Sequence, residues 1–216
     1  KGEIVNYVTR GGEVPAKTLV PPGMPHYQPP LGVPFDPEEA RRLLAEAGYP
    51  AGKGFPRVEL LFNTSEANKD IAEVVQQMWK KHLGVEVTLV NQEWKVFLST
   101  VKNLDYQIAR GNWIGDYVDP NTFLDMFVTE GGNNRTGWSN PRYDHLIEMA
   151  ASEIVTRKRM DIFQEAEKIL VEDELPILPI YYHVSFNIYR PYVKGVYPNI
   201  LNVHPWKYMW IEREES

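Results

Sequence analysis

The chain has 216 residues, 43% of them hydrophobic, enough to bury the core of one large domain or two small ones. Its formal net charge is −6 and it has no run of Lys or Arg, which argues against a surface for nucleic-acid phosphates. With no Cys, disulfides, thiolate metal sites and cysteine nucleophiles are removed together, and the redox compartment stays undetermined.

Apolar stretches such as 175–184 are broken by Pro176, Pro179 and His183 and fall short of the roughly 20 residues of a membrane span. Lys1 is neither an initiator Met nor the start of a signal segment, so the sequence is expected to be part of a longer chain.

Pro15, Pro21, Pro22, Pro25, Pro29, Pro30 and Pro34 punctuate residues 1–35. Each ring fixes φ and removes a backbone donor, so an extended segment is expected there, with neither helix nor central strand. Asp36-Pro37-Glu38-Glu39 then combines an N-cap, a first-turn proline and a capping-box Glu. The helix that follows carries Leu43, Leu44 and Ala47 on one face and ends at Gly48. Val58 to Asn63 reads as a buried strand, bounded by Pro56 and Thr64-Ser65.

Ile71, Val74, Val75, Met78 and His82 or Leu83 follow helical spacing, with Lys80 and Lys81 in the last turn and Gly84 after it. Val85 to Val90 reads as a second strand, Trp94 to Val101 as a short helix and Tyr106 to Ile114 as a third strand. Asp119-Pro120 opens a helix containing Phe123, Leu124, Met126 and Phe127. The order βαβαβα predicts an α/β fold with a parallel sheet and helices on its faces.

Beyond the Gly131-Gly132-Asn133-Asn134 loop, Asn140-Pro141 and Thr156 are expected to cap two consecutive helices. Ile177 to Tyr189 is aromatic and β-branched, and Trp206 to Ile211 is expected to form a closing strand.

Asp116 and Asp119 follow the third expected strand, and in α/β sheets ligands collect outside the carboxyl ends of strands. Asp119 precedes a helix-opening proline, so its ordinary role is an N-cap. Asp116 lies too early to cap that helix and serves either an Asx-turn or a ligand. The two together could act as the general acid and base of a hydrolase. Nothing else completes such a site.

His26, His82, His145, His183 and His204 are scattered without ligand spacing, so no metal centre is expected, and no phosphate loop or nucleophile elbow is present. No cofactor is expected. The 6 Trp and 12 Tyr serve either as core or as the walls of an amphipathic pocket, and Trp94, Trp113 and Trp138 fall beside strand ends and loops.

The run Asn91 to Leu98, followed by Ala109-Arg110-Gly111-Asn112-Trp113-Ile114-Gly115-Asp116-Tyr117-Val118-Asp119-Pro120, resembles oligopeptide-binding proteins of the extracellular solute-binding class. The likeness extends to Glu38 to Leu44 with Gly48-Tyr49, to Asn63-Thr64-Ser65, to Trp79-Lys80-Lys81 and to Leu178 to Tyr182. It implies one lobe, of the periplasmic-binding-protein-like type II, belonging to a two-lobed capture protein of an ABC peptide importer. In this division, 1–35 is a connecting segment, 36–190 the α/β ligand-binding lobe and 191–216 a closing segment with a terminal strand.

The resemblance further implies that a peptide pairs its backbone with Asn112, Trp113 and Ile114. It places Asp116 at the peptide's α-ammonium, Arg110 toward its carboxylate, Trp94 and Trp113 at side-chain pockets, and Asn133, Asn134 and Tyr182 near the ligand. Val101 stands where some relatives carry a second Arg, so ligand length is not transferred. The implied partners are a peptide, an amino-terminal lobe of the same protein and an ABC transporter permease, at a periplasmic or extracellular location associated with the cell surface. The rival readings are a different cargo (dipeptide, cell-wall peptide, oligosaccharide or metal chelate), a carboxylate hydrolase, and a sensor or adhesion module.

Overall fold

The computed structural model describes residues 1–213. The last three residues of the expected closing segment lie outside them. A wide helical turn, Ile4–Thr9, opens the chain. A fully extended segment was expected here, but the first proline is Pro15, and nothing before it forbids a helical turn. Strand β1 (Val14–Pro15) follows, and the proline-rich stretch after it buries Ala16, Thr18, Val20, Met24 and Tyr27.

Helix α1 (Pro37–Glu46) starts as its sequence dictates. Asp36 is extended, and its carboxylate accepts from the Glu38 and Glu39 amides, both at 3.0 Å. Leu44 packs inward, whereas Leu43 of the expected apolar face is exposed. Strand β2 (Val58–Asn63), helix α2 (Glu66–Leu83), strand β3 (Val87–Gln92) and helix α3 (Trp94–Lys102) come next. Gly84 ends α2 in the left-handed conformation at φ 70°, donating to the Lys80 and Trp79 carbonyls.

Strand β4 is Ile108–Ala109 alone. The sheet order is β3-β2-β4, with both pairings parallel. Alternation along β2 assigns its side chains to two faces. Leu60 and Phe62 join Ala72, Val85 and Val87 beneath α2, while Leu61 meets Phe97 and Val101 of α3 on the other side. The sheet therefore lies between helical layers, as the βα rhythm predicts.

The third strand is much shorter than the expected 106–114. Its last ladder bond runs from the Arg110 amide to the Leu61 carbonyl at 2.8 Å. Further pairing would need Asn63, whose carbonyl already accepts from the Asn68 side chain at 3.1 Å. Trp113, meanwhile, packs against a separate core. Asn112, Trp113 and Ile114 are thus outside any strand.

That second core is helical. Helix α4 (Asn121–Leu124), helix α5 (Pro141–Ser152) and helix α6 (Thr156–Lys168) enclose Leu124, Tyr143, Ala150, Phe163 and Ala166, and Val20, Met24 and Tyr27 of the proline-rich stretch complete it. Asn140 caps α5 through the Arg142 and Tyr143 amides. Thr156, expected as a cap, is instead the first residue of α6 and makes no capping bond. Glu167, fully buried on α6, accepts from the Leu19 and Val20 amides at 2.7 Å each and from the Tyr27 hydroxyl at 2.5 Å. Three donors from the proline-rich stretch therefore converge on one helix side chain.

Strand β5 (Tyr181–Tyr182) pairs antiparallel with β1. Strands β6 (Val193–Lys194) and β7 (Trp210–Ile211) form an antiparallel ladder of their own. The closing strand expected over 206–211 is shortened, because Trp206–Tyr208 coils into a 3-10 turn. Gly195, at φ 82°, lets the β6 end pass the Tyr208 carbonyl where a Cβ would collide.

Candidate ligand-binding site

Because all three sheet strands run parallel, their carboxyl ends share one edge. Thr64-Ser65, Gln92 to Trp94 and the segment from Arg110 onward all leave the sheet there. At this edge Thr64 Oγ1 donates to Asn91 Oδ1 at 2.8 Å and to the Gln92 carbonyl at 3.1 Å. Gln92 Oε1 is a buried acceptor without a hydrogen-bond partner. Trp94, half exposed, stacks on Phe97 with ring centroids 5.9 Å apart and planes 16° from parallel.

No backbone N–H or C=O of residues 111–115 finds a hydrogen-bond partner among the described residues. Ile114 is 77% exposed, and Asn112 is exposed beside it. An extended backbone with free donors and acceptors is the complement of another extended chain. Arg110 stands at the start of this stretch, its guanidinium donating to Asn112 Oδ1 at 3.1 Å. Asp116 ends it, exposed, and makes no ion pair among the described residues.

The stretch is seated by one threonine. Thr122, buried on α4, accepts the Asp116 amide on its hydroxyl at 2.9 Å and the Trp113 indole N–H on its carbonyl at 2.7 Å. Gly115 passes so close to α4 that a Cβ would lie 2.9 Å from both Thr122 Cγ2 and the Phe123 ring. Asp119 also holds the start of α4, accepting the Asn121 amide at 3.0 Å, and its carboxylate is gripped by Arg159 at 2.5 and 2.9 Å. Both Asp119 oxygens are therefore engaged, and a general acid and base shared between Asp116 and Asp119 lacks a free second member.

The carboxylate that senses Asp116 is Asp125. Its own desolvation, and then the charge of Asp116, hold its pKa above the ordinary carboxylate range. Asn121 Nδ2 donates to Asp125 Oδ2 at 3.2 Å and to the Tyr117 hydroxyl at 3.0 Å.

Of the expected site residues, Arg110, Asn112, Trp113, Ile114 and Asp116 share one stretch, and Trp94 lies on the same sheet edge. Asn134 is a loop organiser whose amide donates to the Phe127, Val128 and Trp138 carbonyls, while its oxygen accepts from Thr136. Asn133 is exposed beside it, and no hydrogen bond ties either asparagine to 110–116. The Tyr182 hydroxyl is bound to Thr18 at 2.5 and 2.9 Å, and burial lifts its pKa above the usual value. Its polar atom serves the packing of the proline-rich stretch. Thr122, Arg159 and Asp125 escape sequence reasoning: a Thr within a helix start carries no signal, and Arg159 is 40 residues from its partner.

A parallel sheet between helices, with its loops gathered at the carboxyl edge, is the architecture of the type II periplasmic binding proteins. The family described as bacterial extracellular solute-binding proteins, family 5 Middle, matches residues 1–135. The chain belongs to this family. It is 37% identical over 201 residues to the oligopeptide-binding protein OppA of Bacillus subtilis, covering 89% of this chain and 37% of that protein. The Escherichia coli murein tripeptide binding protein MppA superposes with a TM-score of 0.84 at 34% identity, over 97% of this chain and 42% of its own. Haemophilus influenzae OppA in complex with RPPGFSPFR superposes with a TM-score of 0.83 at 29% identity, over 97% and 42%. The chain thus spans about two fifths of the length of these relatives.

Proposed function

We propose that this chain is the carboxy-terminal lobe of an extracytoplasmic oligopeptide-binding protein, which captures peptides by closing two lobes and delivers them to an ABC transporter permease without making or breaking a bond. The observation that carries this reading is the backbone of 111–115, unpaired and ending at a carboxylate with no counter-cation. A peptide laid along it would gain main-chain hydrogen bonds that ignore side-chain identity, and its α-ammonium would meet Asp116 in a charge-assisted bond. Arg110 lies toward the other end of the stretch, suited to the ligand carboxylate. Trp113 and Trp94 supply aromatic walls, and Asn133 is kept as a peripheral contact.

In this reading residues 1–35 connect the lobes, 36–190 bind the ligand and 191–216 close the structure. An amino-terminal lobe would cover the aromatic surface of the closing segment, where Trp206 is 88% exposed and Tyr197, Tyr208 and Trp210 are exposed beside it. The relatives' greater length supports such a second lobe. The family description and the periplasmic relatives support a periplasmic or cell-surface location.

The test is calorimetric titration of the full-length protein, wild type and Asp116→Ala, with tri- to pentapeptides and their amino-terminally acetylated counterparts. Much weaker binding is expected on acetylation and on Asp116→Ala. Indifference to both would remove Asp116 from the α-ammonium role and return the cargo to the open alternatives.

A further inference from the structure

From the geometry we infer that Arg159 is a positioning residue for the amino-end subsite, acting through Asp119 and Thr122 on the backbone that presents Asp116. This inference rests on the peptide-binding reading above. Arg159 occupies the first turn of α6, among Thr156-Arg157-Lys158-Arg159, where the helix dipole disfavours cations. The dipole therefore gives no reason for it to be there.

Its contacts do. Nη1 and Nη2 fork onto the Asp119 carboxylate at 2.5 and 2.9 Å, and Nε donates to the Ala150 carbonyl at 3.0 Å. The guanidinium carbon sits 4.6 Å from the Phe163 ring centroid. Both partners are only about a quarter exposed, at 25% and 24%. A planar fork held on three sides is a rigid support, and a lysine cannot reproduce it.

From Asp119 the support reaches the site in two steps. Its side chain accepts the Asn121 amide and its carbonyl the Thr122 amide at 3.2 Å, which orients Thr122. Thr122 then accepts the Asp116 amide and the Trp113 indole. Helices α5 and α6 are thereby linked through one ion pair to the turn that carries the free carboxylate. Neither Arg159 nor Asp119 needs to touch the ligand.

A residue that only stabilises the fold would weaken all ligands together. A residue that aims Asp116 changes the discrimination between a free α-ammonium and an acetylated one. The experiment measures Kd for a tripeptide and its acetylated form on the full-length protein, as wild type, Arg159→Lys, Arg159→Met, Asp119→Asn and the Asp119→Asn/Arg159→Met double variant.

The expected result is a roughly tenfold fall in the free-to-acetylated preference for each single variant, Arg159→Lys included, with the acetylated Kd unchanged and the double variant no worse than Arg159→Met. Asp119→Asn keeps an acceptor for the Asn121 amide, so the ion pair can be tested even if an Arg159 variant fails to fold. Full discrimination in the variants, or an equal loss for both peptides, overturns the inference. A wild type that binds both peptides alike removes instead the α-ammonium assignment of Asp116, and one that binds neither removes the peptide-binding reading beneath it.

Discussion

Glu167 is an ion in the middle of a helical core, and its environment pulls two ways. Three donors favour its charged form, but desolvation is the larger effect and lifts its pKa to about 7. An acid whose folded pKa exceeds its unfolded one binds its proton more tightly when folded. The stability this contributes is present below about pH 4.5 and is lost as the pH rises through 7, up to about 3 kcal/mol in all. Glu167→Gln retains an acceptor for the Leu19 and Val20 amides and cannot ionise. The stability of the wild type relative to this variant should therefore fall between about pH 4.5 and 7 in urea unfolding, and parallel profiles would refute the assignment. At the same scale, Thr122→Val removes the acceptor of the part-buried Asp116 amide and is expected to cost about 1 kcal/mol in stability, with weaker binding of peptides that carry a free α-ammonium.

At the scale of elements, stability resides in the caps and turns that local sequence writes. Asp36→Ala removes the acceptor for two amides of α1 and is expected to cost about 1 kcal/mol by thermal unfolding. Asn140→Ala should cost more, because the same side chain also donates to Glu174, and Glu174 in turn accepts the Trp138 indole at 2.5 Å. An equal cost for the two would show that the Glu174 contact contributes nothing. The short β4 follows the same logic. Beyond Leu61 the next carbonyl on that edge of β2, that of Asn63, already accepts from the Asn68 side chain. The backbone of 111–115 has no partner on β2.

At the scale of the whole molecule, the two cores have different construction. The sheet and its helices draw on residues 44–109, while the α4–α6 core needs Val20, Met24 and Tyr27 from the proline-rich stretch. The candidate site sits where the chain passes from one to the other, at Arg110 to Asp116, so it is braced by both. In the proposed peptide-binding reading, this chain supplies a single wall of the site. These 216 residues alone should bind peptide far more weakly than the full-length protein, since half of the ligand stays solvated. Calorimetry on the isolated chain checks this, and nanomolar binding would contradict it.

Much of this is legible in the sequence, because it depends on residues a few positions apart. Asp36 and Asn140 as caps, Gly84 as a helix end, β2 at 58–63, and α2 and α3 all follow from spacing and local hydrogen-bond chemistry. The runs Asn91 to Leu98 and Ala109 to Pro120 carried the resemblance to the family. Tertiary structure alone decided how polar side chains are employed. Asp119 reads first as an N-cap, while Asn134 and Tyr182 fall near a ligand only by resemblance. Their hydrogen bonds to Arg159, Trp138 and Thr18 are seen only in the fold. Glu167 is of the same kind, meeting amides 147 and 148 residues away that no periodicity could pair with it. A polar group's role is set by whatever the fold brings within about 3 Å of it, and for these residues that neighbour is remote in the chain.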